Sequence, residues 1–189
     1  MNEIKLPKLI GVSGVARCGK DSYFLLATKR LNKSNQKTMR CAFADAVKQD
    51  CHQLLVKKSG ISAFTKDDEE KKLIRPLLVA YGHDLMRQID PDYWIKRLEL
   101  SLAVGEKINA TQFVTDVRYV NEVEFIKERG GKIVHIEQEN CLPANEEEAE
   151  NDPQIKELAD LLIKWKHVGD NNIKKLQSQV TKSLSKLKI

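Results

Sequence analysis

Hydrophobic and polar positions along the chain follow two alternating periods. Short apolar runs lie at residues 8–13, 38–43, 111–115 and 132–137, and a last one lies near residues 159–165. Runs of this kind, bounded by glycine or polar residues, are typical of buried strands. Between them, apolar residues recur at every third or fourth position, which is typical of helices. The pattern therefore predicts five strands that alternate with helices.

Strands that alternate with helices predict a mostly parallel sheet covered by helices on both faces, because parallel strands need helical crossovers. A chain of 189 residues can bury one sizeable core, so we expect a single α/β domain over residues 1–189. Residues 45–107 form a long helical stretch inside it. In such folds ligands bind at the carboxyl ends of the strands, so the residues after each strand are the functional candidates.

Residues 138–153 interrupt the alternation. This segment is rich in Glu, Asn and Pro, and it offers little apolar surface to bury. We interpret it as a mobile loop or a lid rather than as part of the core.

A glycine-bearing turn directly follows the first predicted strand. Residues 14–22 read GVARCGKDS and match the pattern GxxxxGK, with a strand before and a helix after. Backbone N–H groups of such a loop converge on phosphate oxygens, and the next helix offers its positive N-terminal end. The turn therefore predicts a site for the phosphates of a nucleotide. Its candidate binding residues are Gly14, Val15, Ala16, Cys18, Gly19, Lys20, Asp21 and Ser22.

Acidic side chains and a hydroxyl suggest where a metal ion would bind. The position after Lys20 is normally Ser or Thr and binds magnesium, but here it is Asp21, and Ser22 comes one residue later. Asp116 follows the strand predicted at residues 111–115. Oxygen ligands suit magnesium, so these three residues are the candidate ligands, with ATP and Mg²⁺ as the cofactors. An aspartate that closes a strand can also simply cap the next helix.

Composition restricts the partners further. A net charge of +5 favours anionic ligands without choosing among them. The lysines of the last sixteen residues recur among leucines, which is typical of an amphipathic surface helix rather than of a nucleic-acid contact. The chain has no run of eighteen apolar residues, and its four cysteines lack CxxC spacing. We expect a cytoplasmic protein with reduced thiols, no membrane contact and no requirement for nucleic acid.

Four stretches carry a resemblance to a known family. They are the phosphate loop from residue 11 to 22, FADAVK at 43–48, YGHD at 81–84 continuing to Arg87 and DYW at 92–94, and DVRYVNE at 116–122. In order and spacing the chain resembles phage-type deoxynucleoside monophosphate kinases, which belong to the P-loop nucleoside monophosphate kinase superfamily. The resemblance implies a five-stranded parallel core with helices on both sides.

The resemblance also implies functional regions. It implies a helical acceptor-binding region at about residues 45–107 and a lid at about 138–153, and it is compatible with a homodimer and with the cytoplasm of a phage host. Lys48, Arg75 and Arg87 are the implied ligands of the acceptor phosphate. Arginine offers a planar fork that matches phosphate oxygens, whereas lysine supplies a point charge.

The predicted lid offers no positive charge to neutralise the transferred phosphoryl group, because residues 138–151 contain five glutamates and no Arg or Lys. We expect this lid to exclude water while its acids point outward. The positive charge then comes from Lys20 and Arg17 of the loop, helped by Arg118. These three are the candidate catalytic residues.

The expected reaction is ATP-dependent phosphorylation of deoxynucleoside monophosphates to diphosphates. The acceptor is itself an anionic phosphate, so no strong general base is needed. One alternative is a kinase of another small phosphorylated acceptor, such as phosphomevalonate or dephospho-coenzyme A, since the same scaffold serves all of these. Another is a nucleic-acid-associated NTP-binding module whose basic tail makes the contact.

Overall fold

The computed structural model describes residues 7–165 and 173–187. The strands are β1 (Leu9–Ser13), β2 (Thr38–Cys41), β3 (Thr111–Val117), β4 (Lys132–Gln138) and β5 (Leu161–Trp165). The helices are α1 (Lys20–Asn32), α2 (Phe43–Ser59), α3 (Asp68–Val79), a π-helix (Ala80–Arg87), α4 (Tyr93–Lys107), α5 (Val120–Glu128), α6 (Glu146–Leu158) and α7 (Ile173–Lys186).

The five strands form one sheet in the order β2-β3-β1-β4-β5, and every neighbouring pair is parallel. Helices α1 and α7 pack against each other, and so do α5 and α6. The first pair contacts β2, β3 and β5, whereas the second contacts β1 and β4. Crossovers from β1 and from β3 run in opposite directions across the sheet, so right-handed connections bring their helices to opposite faces. The predicted α/β fold with helices on both faces is confirmed.

The central strand β1 is buried along its whole length. Its apolar side chains join a core to which the sheet, α1 and α7 all contribute. The hydroxyls of Tyr23 on α1 and Ser183 on α7 share a hydrogen bond of 3.0 Å. The predicted C-terminal amphipathic helix thus has an apolar face that belongs to the core. Fully buried members of this core are Ile10, Val12, Cys18, Tyr23, Ala27, Leu31, Phe113, Val134, Val180 and Leu184.

The chain divides into two compact units. One contains the described residues up to Cys41 and from Leu102 onward, and it carries the whole sheet. The other, Ala42–Ser101, is helical and has its own small core of Cys51, Leu55, Ala63 and Ile74. Within it, the side chain of Asp67 accepts hydrogen bonds from the backbone N–H groups of the next helical turn and so begins α3.

The segment interpreted as a loop or lid differs from that expectation. Residues 139–145 are irregular, but residues from Glu146 onward form the helix α6. The side chain of Asn145 caps this helix by accepting a hydrogen bond from Glu148 N at 2.9 Å. Pro153 lies inside the helix without ending it, and Ile155 is buried on its inner face. Burial of that face stabilises the helix, which the polar composition of the segment did not predict.

Candidate active site

The predicted phosphate loop lies between β1 and α1, and its backbone is unusual at three positions. Gly14 and Gly19 have φ values of +122° and +98°, and Arg17 has φ of 63°. A Cβ at position 14 would collide with the carbonyl oxygen of Ile136, and one at position 19 would lie 2.6 Å from the Trp165 ring. Both glycines are therefore required by conformation and by space.

Lys20 begins α1, and its side chain bends back over the loop. The ammonium donates hydrogen bonds to the carbonyl oxygens of Gly14 at 2.6 Å and Val15 at 2.8 Å. A positive charge thus stands over a turn at the N-terminus of a helix, where the partial positive charge of the helix also lies. This combination suits the phosphates of a nucleotide.

The last residue of β5 is hydrogen-bonded to the phosphate loop. Trp165, which is 4% exposed, donates from Nε1 to the carbonyl oxygen of Cys18 at 2.7 Å. Cys18 itself is fully buried, and this burial raises the pKa of its thiol to about 11. The thiol is therefore protonated at neutral pH and serves in packing rather than as a nucleophile. All four cysteines are free.

The three candidate magnesium ligands belong to the unit that carries the sheet. Asp21 is exposed, with an oxygen 3.8 Å from Arg40 Nε, and Ser22 is exposed beside it. Asp116 is half-buried near the carboxyl end of β3, which neighbours β1 in the sheet. Within residues 7–165 and 173–187, no cluster of three or more His, Cys, Asp or Glu could hold a metal by itself.

These donors nevertheless fit magnesium. The ion takes oxygen ligands and usually keeps several waters, with only one or two carboxylates and the phosphates of a substrate completing its shell. The hydroxyl of Thr115, directly before Asp116, is buried and has no hydrogen-bond partner among the described residues, so one oxygen at the end of β3 lacks a partner.

The two candidate catalytic arginines have different surroundings. Arg17 is exposed. Arg118 donates from its backbone N–H to the carboxylate of Glu122 at 2.8 Å, and that buried carboxylate caps α5. The guanidinium of Arg118 lies 4.0 Å from a carboxylate oxygen of Glu148. An acidic residue of α6 therefore lies within ion-pair distance of Arg118.

The expectation that the acids of residues 138–151 all point outward is wrong for two of them. Glu148 is buried, and besides facing Arg118 it accepts a hydrogen bond from Ala144 N at 2.7 Å. Glu147 accepts a hydrogen bond from the hydroxyl of Tyr119. These two carboxylates tie the start of α6 to the segment after β3, whereas Glu139, Glu146 and Glu150 are exposed.

A cavity of about 530 Å³ adjoins the phosphate loop, a size within the usual range of ligand sites. The loop contributes Val15, the ends of β4 and β5 contribute further walls, and the lining includes two residues that the sequence analysis missed, His135 and Asp152. Neither residue belongs to a motif that the sequence analysis identified, and the two lie seventeen positions apart.

The three candidate acceptor ligands belong to the helical unit. Lys48 is half-buried on α2, and Arg75 is exposed on α3. Arg87 ends the π-helix, and its guanidinium donates to the carbonyl oxygen of Pro91 at 3.4 Å. π-Helices are rare and occur frequently at functional sites.

A charged and aromatic network surrounds that π-helix. The guanidinium of Arg97 donates to both carboxylate oxygens of Asp50, at 2.9 and 3.1 Å, and the hydroxyl of Tyr81 donates to Asp50 at 3.2 Å. Trp94 is 1% exposed and donates from Nε1 to Gly82 O at 2.8 Å. Trp94 is thus a core residue, and the sequence analysis did not identify the pair of Asp50 and Arg97.

Comparison with known proteins adds the family. The sequence matches the family deoxynucleotide monophosphate kinase over residues 23–180. Among curated protein sequences none matches. Similar solved structures include dephospho-CoA kinase from Campylobacter jejuni, with a TM-score of 0.49 at 16% identity, covering 95% of this chain and 98% of that one.

Two further structures have the same general likeness. An APS kinase mutant from Mycobacterium tuberculosis has a TM-score of 0.46 at 12% identity, covering 95% of this chain and 98% of that one. Shikimate kinase from Acinetobacter baumannii, in complex with shikimate, has a TM-score of 0.45 at 12% identity, covering 95% and 93%.

A parallel sheet of this strand order, with a lysine bent over a glycine loop after its central strand, is the arrangement of a P-loop nucleotide-binding protein, and the family match makes it a kinase, an enzyme that transfers a phosphoryl group. The family match covers most of the chain, and the chain belongs to the deoxynucleotide monophosphate kinase family. It uses ATP to phosphorylate deoxynucleoside monophosphates. No helix in the described parts of the chain is long and apolar enough to cross a membrane.

Proposed function

We propose that this kinase binds ATP through residues 14–22 and the deoxynucleoside monophosphate through its helical unit. The observation that carries the first half is the Lys20 ammonium held over the left-handed turn of the loop. Lys48, Arg75 and Arg87 hold the acceptor phosphate, because three cations on the helical unit suit a dianionic group. The base and sugar of ATP occupy the cavity beside Val15.

The chemistry follows from these assignments. An oxygen of the acceptor phosphate attacks the γ-phosphorus of ATP, the new P–O bond forms as the bond to the β-phosphate oxygen breaks, and ADP leaves. The attacking oxygen is already anionic, so the enzyme supplies position and charge neutralisation rather than a base. Lys20, Arg17 and Arg118 supply the positive charge.

Magnesium belongs to this proposal. Asp21, Ser22 and Asp116 are the residues that would hold the ion, directly or through water. When bound, the ion neutralises negative charge on the phosphates of ATP.

The location and assembly are further parts of the proposal. Four free thiols suit the reducing cytoplasm, where nucleotides are also found. Large apolar side chains such as Leu73 and Ile89 are about 70% exposed on the helical unit, which supports a homodimer. Sedimentation equilibrium that gives the mass of one chain would contradict the dimer.

One experiment tests reaction and site together. The protein is incubated with ATP, Mg²⁺ and, separately, each deoxynucleoside and ribonucleoside monophosphate, phosphomevalonate and dephospho-coenzyme A, and the phosphorylated products are measured. We expect diphosphate from at least one deoxynucleoside monophosphate and no turnover of the last two compounds.

The same assay on Lys20→Ala tests the loop. We expect kcat to fall by about a hundredfold or more, because a preorganised charge contact to the transition state typically supplies about 3 kcal/mol. Circular dichroism establishes that the variant is folded. Near-normal turnover by folded Lys20→Ala would remove this residue from the proposed chemistry.

A further inference from the structure

Trp165, the last residue of the edge strand β5, contacts two neighbouring residues of the phosphate loop. Its indole Nε1 donates a hydrogen bond of 2.7 Å to the carbonyl oxygen of Cys18. Its ring packs against Gly19 so closely that a Cβ at position 19 would lie 2.6 Å from Cζ2. The tryptophan is therefore held against the two residues that directly precede the loop lysine.

The hydrogen bond to Cys18 fixes the direction of one peptide unit. The carbonyl of Cys18 and the N–H of Gly19 belong to the same peptide unit, and in a trans peptide these two groups point in opposite directions. No peptide bond among the described residues is cis. Because the carbonyl oxygen faces the indole, the N–H of Gly19 points away from it.

This peptide unit needs an external restraint. Its rotation changes ψ of Cys18 and φ of Gly19, and glycine tolerates a wide range of φ, here +98°. Gly19 is also the N-cap residue of α1. In phosphate loops, N–H groups at the beginning of the helix are directed to phosphate oxygens, so the direction of the Gly19 N–H affects the binding of a phosphate.

A direct contact between Trp165 and the base of a nucleotide is the alternative role, because Trp165 lines the cavity beside Val15. Only 4% of the residue is exposed, however, so little of its ring is accessible for stacking on a base. Its one polar group is already bound to the loop backbone. The observations therefore favour an action through the loop.

We propose that Trp165 is a positioning residue of the kinase: its indole N–H holds the Cys18–Gly19 peptide in the orientation that directs the Gly19 N–H to the phosphates of ATP. The ring holds the same peptide from the side of Gly19. The inference rests on the proposed binding of ATP by residues 14–22. It assigns a role to a residue that acts through the loop backbone rather than on a reacting atom.

Trp165→Phe tests the hydrogen bond, because phenylalanine keeps an aromatic ring beside Gly19 and lacks the N–H. The probe is inorganic triphosphate with Mg²⁺, which has phosphates but neither base nor sugar. We expect its dissociation constant, measured by calorimetry, to rise about tenfold, and that of ATP to rise by the same factor, because a hydrogen bond to a charged group is lost. Unchanged binding of triphosphate by folded Trp165→Phe would overturn the proposal. A loss confined to ATP would also overturn it, since the indole would then contact the base or sugar.

The second tryptophan of the chain offers a matched control. Trp94 is buried and donates from Nε1 to a backbone carbonyl, that of Gly82 at 2.8 Å, but it belongs to the helical unit. Trp94→Phe therefore removes an equivalent hydrogen bond and an equal volume. We expect both variants to have lower melting temperatures and only Trp165→Phe to bind triphosphate more weakly. Equal weakening in the two would indicate a general loss of structure and would overturn the proposal.

NMR can observe the Cys18–Gly19 peptide directly, because Cys followed by Gly occurs once in the sequence. Labelling the cysteine carbonyl with ¹³C and glycine with ¹⁵N gives a correlated signal from this peptide alone. We expect its amide proton to move downfield when triphosphate and Mg²⁺ are added, and to move less in Trp165→Phe but not in Trp94→Phe. An amide proton that does not move in the unaltered protein would contradict the proposed contact. If Trp165→Phe fails to fold, replacing Trp165 by benzothienylalanine serves instead, since that residue keeps the two fused rings and has sulfur in place of N–H.

Lys20→Ala separates the two possible failures. If this variant retains both triphosphate binding and turnover, the proposed function of the loop fails. If Lys20→Ala loses turnover while folded Trp165→Phe binds triphosphate normally, only the present inference fails.

Discussion

Arg17 combines a strained backbone with an exposed charged side chain. Its φ of 63° is uncommon for a residue with a Cβ, and strained backbone is frequently found at functional sites. The loop turns there whatever the side chain, so the conformation alone does not explain an arginine. The proposed contact of Arg17 with the transferred phosphoryl group would explain the cation.

We therefore expect Arg17→Ala to lower kcat about tenfold or more, because a charge contact to the migrating phosphoryl group is lost. Arg17→Lys should retain part of the activity. Arg17→Gly is the matched control, since it removes the same charge and also the backbone strain. Steady-state kinetics in which Arg17→Ala matches the unaltered protein would show that the charge comes from elsewhere.

His135 also makes a prediction for stability, because burial lowers its pKa from the ordinary 6.5 to about 4. Between these two pH values the unfolded chain binds a proton that the folded protein does not bind. The free energy of unfolding therefore falls as the pH drops from 6.5 towards 4, by up to about 3 kcal/mol, and it is unaffected by this group above pH 6.5.

Urea denaturation at several pH values measures this effect. His135→Gln cannot titrate, so its free energy of unfolding should fall less steeply over the same window, while the charged neighbours Glu137, Asp152, Lys20 and Lys156 remain in both proteins. Parallel curves for the two proteins would show that His135 titrates normally in the folded state.

The elements differ in how much of them the sequence could predict. All five strands were predicted within about two residues of their ends, because short apolar runs between polar breaks leave few other interpretations. Helix α6 was not predicted, since its start is rich in glutamate and contains Pro153. The tertiary structure supplies what the polar composition does not indicate: Ile155 is buried on the inner face of the helix, and Glu148 lies 4.0 Å from the guanidinium of Arg118.

The candidate site likewise has a part that the sequence predicts and a part that it does not. A contiguous motif revealed the phosphate loop, because seven neighbouring residues carry the whole signal. The proximity of His135 to Ser13 and Asp152 could not be predicted, since these residues are 122 and 17 positions away in sequence and their approach depends on the strand order. Burial, which decides that His135 is neutral, is likewise a property of the folded chain.

We expect the stability of helix α6 to depend on Glu148. We expect Glu148→Ala to lower the free energy of unfolding by about 1–2 kcal/mol, because it leaves Ala144 N without its acceptor and Arg118 without its carboxylate. Glu146→Ala is the matched control, because Glu146 lies in the same first turn of α6 but is exposed, and its effect should be small. Thermal denaturation of both compares them directly, and equal melting temperatures would contradict the role of Glu148.

At the scale of the whole molecule, the two units have separate cores and separate candidate tasks. The unit with the sheet carries the phosphate loop, the candidate metal ligands and the cavity. The helical unit carries Lys48, Arg75, Arg87 and the network of Asp50 and Arg97 around its π-helix. A kinase with two phosphorylated substrates can assign one substrate to each unit.

This division leads to a kinetic prediction for the helical unit. Replacing Lys48, Arg75 or Arg87 by Ala should raise the KM for the acceptor or lower kcat, and should leave the affinity for ATP nearly unchanged, because each removes a cation from the acceptor side alone. Lys57→Ala is the matched control, since Lys57 is an exposed lysine on the same helix as Lys48.

The measurement combines steady-state kinetics with both substrates varied and calorimetric titration of ATP. For the residues that contact phosphate, we expect kcat/KM for the acceptor to fall by about tenfold or more. The dissociation constant for ATP should stay within about twofold of that of the unaltered protein. The Arg87→Ala variant should show the largest loss of kcat/KM for the acceptor, because Arg87 is half-buried at the end of the π-helix. The loss should be smaller for Arg75→Ala, because Arg75 is exposed. If instead ATP binding weakened and the acceptor KM did not change, the two substrate sites would have to be exchanged between the units.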